Sequence, residues 1–141
     1  MTSVTTGLQP TQAAAAAAAV GFLMIAAFQL LLAFGAPLGR AAWGGNHSQL
    51  PMGLRVASAF AVGVWVLATL VVLGRAGYQV SPLPPAVERW GTWVLVGLLP
   101  LGAIMNFLSK SNWERFLWGP VALILAVLCL VVAQSGGGTL S

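Results

Sequence analysis

Few side chains in this sequence can do acid–base or metal chemistry: one histidine, His47, two glutamates, Glu88 and Glu114, one cysteine, Cys129, and no aspartate. A metal site built from the usual His-, Cys- or carboxylate-rich sets needs more ligands than this chain places together. No G-x-S-x-G occurs, and the histidine has no aspartate to orient it, so no nucleophilic set is visible. A lone cysteine excludes an internal disulfide and rules out disulfide exchange by a cysteine pair. Inside its apolar run Cys129 reads as a small packing residue. The sequence implies no cofactor and no metal.

The residues better suited to holding a molecule than to transforming one are Gln29, Trp43, His47, Arg55, Asn106, Glu114 and Arg115. Glu114 or His47 would handle a proton, and Arg55 would hold an anionic headgroup. The plainer reading of the same residues is structural. A Gln or Asn inside a membrane span bonds a neighbouring helix for about 1 kcal/mol or less, and Glu114 with Arg55 or Arg115 makes an ordinary interfacial ion pair. Which reading holds depends on where the helices put these side chains.

The elements that must position them are apolar. Of 141 residues 59% are hydrophobic and 6% charged, where a soluble domain carries about a quarter charged residues. Four charge-free runs, 13–34, 56–73, 90–108 and 116–133, are each long enough to span the roughly 30 Å hydrocarbon core as a helix. Helices are required because the bilayer offers backbone amides no water partner, and continuous apolar runs exclude an alternating β-barrel strand. The expected fold is all-α: one four-helix membrane domain over 1–134 with up-down topology, then a frayed glycine-rich tail over 135–141. The first run opens with seven alanines, Ala13 to Ala19, and no Lys or Arg precedes it. It is therefore expected to be a retained span and not a signal peptide.

Loop one (35–55) contains Pro37, Gly44, Gly45, His47 and Pro51; loop two (74–89) contains Pro82, Pro84 and Pro85; loop three (109–115) is short and makes spans three and four an antiparallel hairpin. Loops one and three carry Arg40, Arg55, Lys110 and Arg115, against Arg75 and Arg89 on the other side. This bias puts loops one and three in the cytoplasm and both termini outside. The six basic residues are scattered singly, so they form no stripe for nucleic acid. Trp43, Trp90, Trp93, Trp113 and Trp118 fall near span ends, where indoles prefer the headgroup zone. Trp65 lies mid-span, as a packing or lipid-facing residue or as an aromatic wall inside the bundle. Sorted by depth, Gln29, Arg55, Ser58, Asn106, Ser109, Glu114 and Arg115 gather with Asn46 and His47 at the loop-one end. Pro100 is expected to kink span three by freeing the Val96 carbonyl. Ala59 and Gly63 form a small-xxx-small pair in span two, suited to close helix packing.

The stretches FGAPLGRAAWGG (34–45), LPMGLRVAS (50–58), VVLGRAG (71–77) and MNFLSKSNWERFLWGPVALILAVLCLVVA (105–133) resemble a family of small four-span bacterial integral membrane proteins. The resemblance covers most of the chain from Phe28 to Ala133. It implies an inner-membrane location and brings no activity with it.

The leading functional expectation is a non-enzymatic membrane protein that packs with itself or with a larger membrane partner, with the lipid bilayer as its surroundings. The second is an oligomeric binder or transporter of a small amphiphilic molecule, using the polar residues of the loop-one end. The third is a membrane-embedded enzyme on a lipophilic substrate, with Glu114 or His47 as the acid–base group.

Overall fold

The computed structural model describes residues 9–138 and contains helices without a strand among them. Helices α1 (Pro10–Ala33), α2 (Met52–Arg75), α3 (Pro85–Phe107) and α4 (Gly119–Gly138) form the bundle, and a π-helical turn, Glu114–Trp118, leads into α4. All four are long and apolar enough to cross a membrane, which makes the chain a multi-pass membrane protein. Helix α4 continues through Gly138; the rest of the tail expected beyond it lies outside the described residues.

The helices run past the apolar stretches that define them. Helix α1 begins at Pro10 and α3 at Pro85, each with proline in the first turn. Proline suits that place because its missing N–H would be unpaired there anyway and its φ is already helical. So Pro85, in the proline-rich loop two, opens a helix. At 23 or 24 residues these helices are roughly 35 Å long, and their ends reach beyond the hydrocarbon core.

Helix α1 ends in a Schellman turn: the Gly35 N–H donates to the Leu32 carbonyl and the Ala36 N–H to that of Leu31. Gly35 takes φ +92° there, as Gly77 takes +97° in the matching turn after α2. Helix α3 is continuous through Pro100.

Helix α1 packs on α2 and α4, and α3 packs on the same two. The dense part of this packing is confined to one end. Ala15, Ala18 and Phe22 of α1 are fully buried against Val72 of α2 and Cys129 and Val132 of α4, with Leu95 and Leu99 of α3 closing the cluster. The alanine run thus lets α1 come close to its neighbours, and small side chains fill the space. A second, smaller cluster of Leu32, Ala42 and Leu50 lies under loop one. Ala59, Phe60 and Gly63 of α2 are exposed and take no part in packing among the described residues. Phe60 is 78% exposed, and a methyl added at Gly63 would meet nothing within 4 Å.

Candidate functional site

Between the dense core and loop one the bundle is open. A cavity of about 930 Å³ is lined by all four helices and by loop one. Its floor is apolar: Trp65, Leu95, Leu99 and Leu125 line it, and Trp65 is stacked on Phe22 of the core at 5.6 Å between ring centroids. Trp65 is therefore an interior wall residue and not a lipid-facing one. The polar groups on its wall are Gln29, Trp43, Asn46, Asn106, Ser109, Lys110, Glu114 and Trp118.

Loop one forms the roof, and short-range chemistry holds it there. It folds as two 3-10 turns, Gly39–Ala41 and Trp43–Gly45. Three successive residues take positive φ: Trp43 at +51°, Gly44 at +84° and Gly45 at +76°. Glycine accepts this at no steric cost, whereas a tryptophan is strained by about 1–3 kcal/mol. The strain at Trp43 is offset by its indole Nε1–H, which donates to Ser58 Oγ of α2 at 3.0 Å. Ser58 is completely buried, so this bond also satisfies an oxygen inside the bundle. The turn places Gly45 hard against loop three: an added Cβ would sit 2.8 Å from Ser111 Cβ.

Glu114 is the anchor of this roof. The Gly44 N–H donates to its two carboxylate oxygens at 3.2 and 3.4 Å, and the Ser109 hydroxyl donates to Oε1. Ser111 adds a second tie by donating to the Arg40 carbonyl at 2.5 Å. The ion pair expected of Glu114 with Arg55 or Arg115 gives way to these neutral donors. Arg55 turns to α1 instead, its Nε–H donating to the Ala33 carbonyl at 3.0 Å. Arg115 is exposed, its guanidinium 5.4 Å from the Phe116 ring centroid. The physical reason is reach: loop three is so short that it brings its own serines, and the glycine turn of loop one, to Glu114 first.

Of the seven candidate residues, Gln29, Trp43, Asn106 and Glu114 line the cavity, and His47, Arg55 and Arg115 do not. His47 is exposed in loop one, so the two proposed acid–base groups are not on one wall. Asn106 turns its amide back to the Gly102 carbonyl at 2.8 Å. Sequence reading missed Phe28 and Trp118, whose rings meet at 4.9 Å, as cavity walls. A signal existed for α3: Leu95, Leu99, Gly102 and Asn106 recur at steps of four, three and four, which is one helix face. Because three of the four are apolar or glycine, that face is indistinguishable from ordinary packing. Among the described residues no cluster of three His, Cys, Asp or Glu side chains is placed to hold a metal.

Gln29 and Trp118 each line the cavity, but Gln29 Oε1 and Trp118 Nε1 are themselves shielded from it and have no hydrogen-bond partner among the described residues. The opposite end of the bundle has a second hollow of about 890 Å³, lined by Arg75, Glu88 and Arg89 and by the first turns of α1 and α3. Arg75 is tethered across it to the Ala133 carbonyl at 3.2 Å. No family model, curated protein or solved structure matches this chain.

Proposed function

We propose that this protein binds a small amphiphilic molecule in the cavity beneath loop one, as a membrane-embedded binder and not an enzyme. The observation that carries the reading is the cavity itself: about 930 Å³, open among four helices, with an apolar floor and a polar roof. Ligand pockets fall at about 300–1,000 Å³ with mostly apolar walls and few polar groups. Glu114, bonded to Gly44 and Ser109, acts in this reading as the latch of the roof and not as a proton carrier.

Gly102 supplies the test. It lines the cavity, and a methyl added there would meet nothing within 4 Å. Gly102→Leu therefore fills the cavity while replacing glycine by a better helix former. Native mass spectrometry from a mild detergent is expected to find an amphiphile retained by wild type and lost from Gly102→Leu, with thermal stability kept. Equal retention by both rejects the reading.

The packing reading retains one observation. Ala59 and Gly63 present a small-residue stripe on the outward face of α2 that no described helix covers. A second copy, or a larger membrane partner, fits that stripe by close backbone approach. Crosslinking from Gly63→Cys tests it, and an exclusively monomeric product argues against it. One chain encloses too little volume for conventional alternating access, so transport requires such an oligomer. The four-to-two distribution of Lys and Arg supports an orientation with loops one and three in the cytoplasm and both termini outside. The family resemblance of the loop-one and 105–133 segments supports a bacterial inner membrane.

A further inference from the structure

Three of the four seams of the bundle are closed beside loop one. Helix α1 is tied to α2 where the Arg55 Nε–H donates to the Ala33 carbonyl. It meets the turn into α4 through Phe28 and Trp118, and α4 itself at Gly21, where an added Cβ would lie 2.7 Å from Leu125 Cδ2. Helix α3 meets α4 at Gly119, whose added Cβ would lie 2.9 Å from Phe107 Cε1. The fourth seam, between α2 and α3, changes along its length. Gly91 and Gly102 lie about three turns apart on one face of α3. At Gly91, near loop two, an added Cβ would be 3.0 Å from Val71 Cγ1 of α2; at Gly102 it would meet nothing within 4 Å. The two helices touch at the loop-two end and part toward loop one.

Exposure of the cavity wall agrees. The lining residues on α1 and α4 are buried or half-buried. Those within the four helices that are more than half exposed are Val64 of α2 and Leu98 and Met105 of α3. A residue that lines a cavity and also faces outward stands at its mouth. Val64 lies 12 residues beyond the start of α2 and Leu98 13 beyond that of α3, each roughly 18–20 Å along its helix. That is hydrocarbon depth, so the mouth opens onto lipid chains and not onto water. Nearer loop one the roof is held by Gly44 on Glu114 and by Ser111 on Arg40. Exposed Asn46 and Lys110 line the cavity at that level.

We infer that the cavity fills from the side: the hydrocarbon chain of a bilayer lipid enters between α2 and α3, past Val64 and Leu98. It lies on the floor of Leu95, Leu99 and Leu125, and its polar head stays at the level of Asn46 and Lys110. This rests on the cavity being a binding site, and adds the class of its occupant and the way in.

The test uses full-length protein in nanodiscs of phosphatidylcholine that carries a photoactivatable diazirine midway along one acyl chain. Insertion sites are mapped by mass spectrometry after illumination. Leu99 and Leu125 are buried but line the cavity, whereas Val72 and Val132 are buried in the dense core. Insertion at Leu99 and Leu125 is expected above the background at Val72 and Val132. The double variant Val64→Trp, Leu98→Trp adds bulk at two lipid-facing positions of the mouth. It is expected to lose insertion at Leu99 and Leu125 and to keep it at Ile124, which is exposed on α4 outside the cavity. Insertion at Leu99 and Leu125 that persists in a folded double variant overturns entry between α2 and α3. Wild type alone decides if that variant does not fold: insertion no higher than at Val72 and Val132 overturns the inference. If an amphiphile is nevertheless retained by wild type and lost from Gly102→Leu, side entry fails and the cavity reading stands. If nothing is retained either, both fail.

Discussion

The Gly44 N–H and the Glu114 carboxylate, 70 positions apart in the chain, meet at 3.2 Å and tie loop one to the π-helical turn that leads into α4. The bond needs φ +84° at Gly44 and the short loop three that presents Ser109 beside the same carboxylate. Hydrogen bonds to a charged group are worth about 1.5–3 kcal/mol. Glu114→Ala is therefore expected to raise the opening of loop one about 10- to 100-fold, read as hydrogen exchange at the Gly44 amide. Exchange as slow as in wild type would show that the roof is held by something else.

A paired substitution separates the roof from the lipid face. Gly45→Ala puts a methyl 2.8 Å from Ser111 Cβ at a residue with φ +76°, and left-handed backbone alone costs an alanine about 1–2 kcal/mol. Gly63→Ala meets open space and gains up to about 1 kcal/mol of helix propensity. In detergent, Gly45→Ala is expected to melt lower and Gly63→Ala at or above wild type. A loss at Gly63 would reveal that its outward face is packed against something.

The bundle was legible in the sequence because each helix announces itself by a long uncharged run, and no other structure satisfies its backbone in lipid. The polar end was legible for a related reason: Gln29, Asn106 and Glu114 are rare residue types at such depths. The partners within that end were not. Charge alone pairs Glu114 with Arg55 or Arg115, yet Arg55 finds the carbonyl of Ala33, which no side-chain pattern marks. The roof depends on three consecutive positive-φ residues, and only two of them are glycine. Trp43 gives no local sign of left-handed backbone, since what holds it there is Ser58, 15 residues on. A pocket at the polar end was among the expectations, but its apolar floor escaped because emptiness leaves no residue behind: Leu95, Leu99 and Leu125 look alike whether they face a neighbour or a hollow.

The Trp43–Ser58 bond invites a double-mutant cycle. Trp43→Phe removes the donor and strands a buried serine oxygen, while Ser58→Ala strands an indole N–H. Each single variant is expected to lose about 1 kcal/mol, and the double variant less than the sum, with a coupling of about 0.5–1.5 kcal/mol. Additive losses in chemical denaturation would place the bond outside the folded state in solution.

Arg55 distinguishes a structural cation from a ligand-holding one. Its guanidinium donates to Ala33 and lies over Gly35, where an added methyl would sit 3.2 Å from Cζ. Arg55→Ala is expected to lower stability by about 1 kcal/mol and to leave amphiphile retention in the cavity at the wild-type level. Lost retention with unchanged stability would return Arg55 to the binding site.

Orientation is testable because the only cysteine is silent. Cys129 has no exposed surface within the core, so wild type is expected to resist a membrane-impermeant maleimide and to serve as its own background. Ser48 in loop one and Gln79 in the α2–α3 linker are both exposed and belong to opposite ends of the bundle. With loops one and three in the cytoplasm, Gln79→Cys labels in intact cells and Ser48→Cys labels only after permeabilisation. The opposite pattern inverts the protein, and the four basic residues of loops one and three would then have been overridden. On the proposed binding reading, the outcome also decides which leaflet supplies the cavity. Its roof is loop one, so an amphiphile that enters beneath Gly44 and Glu114 comes from whichever side labels at Ser48→Cys.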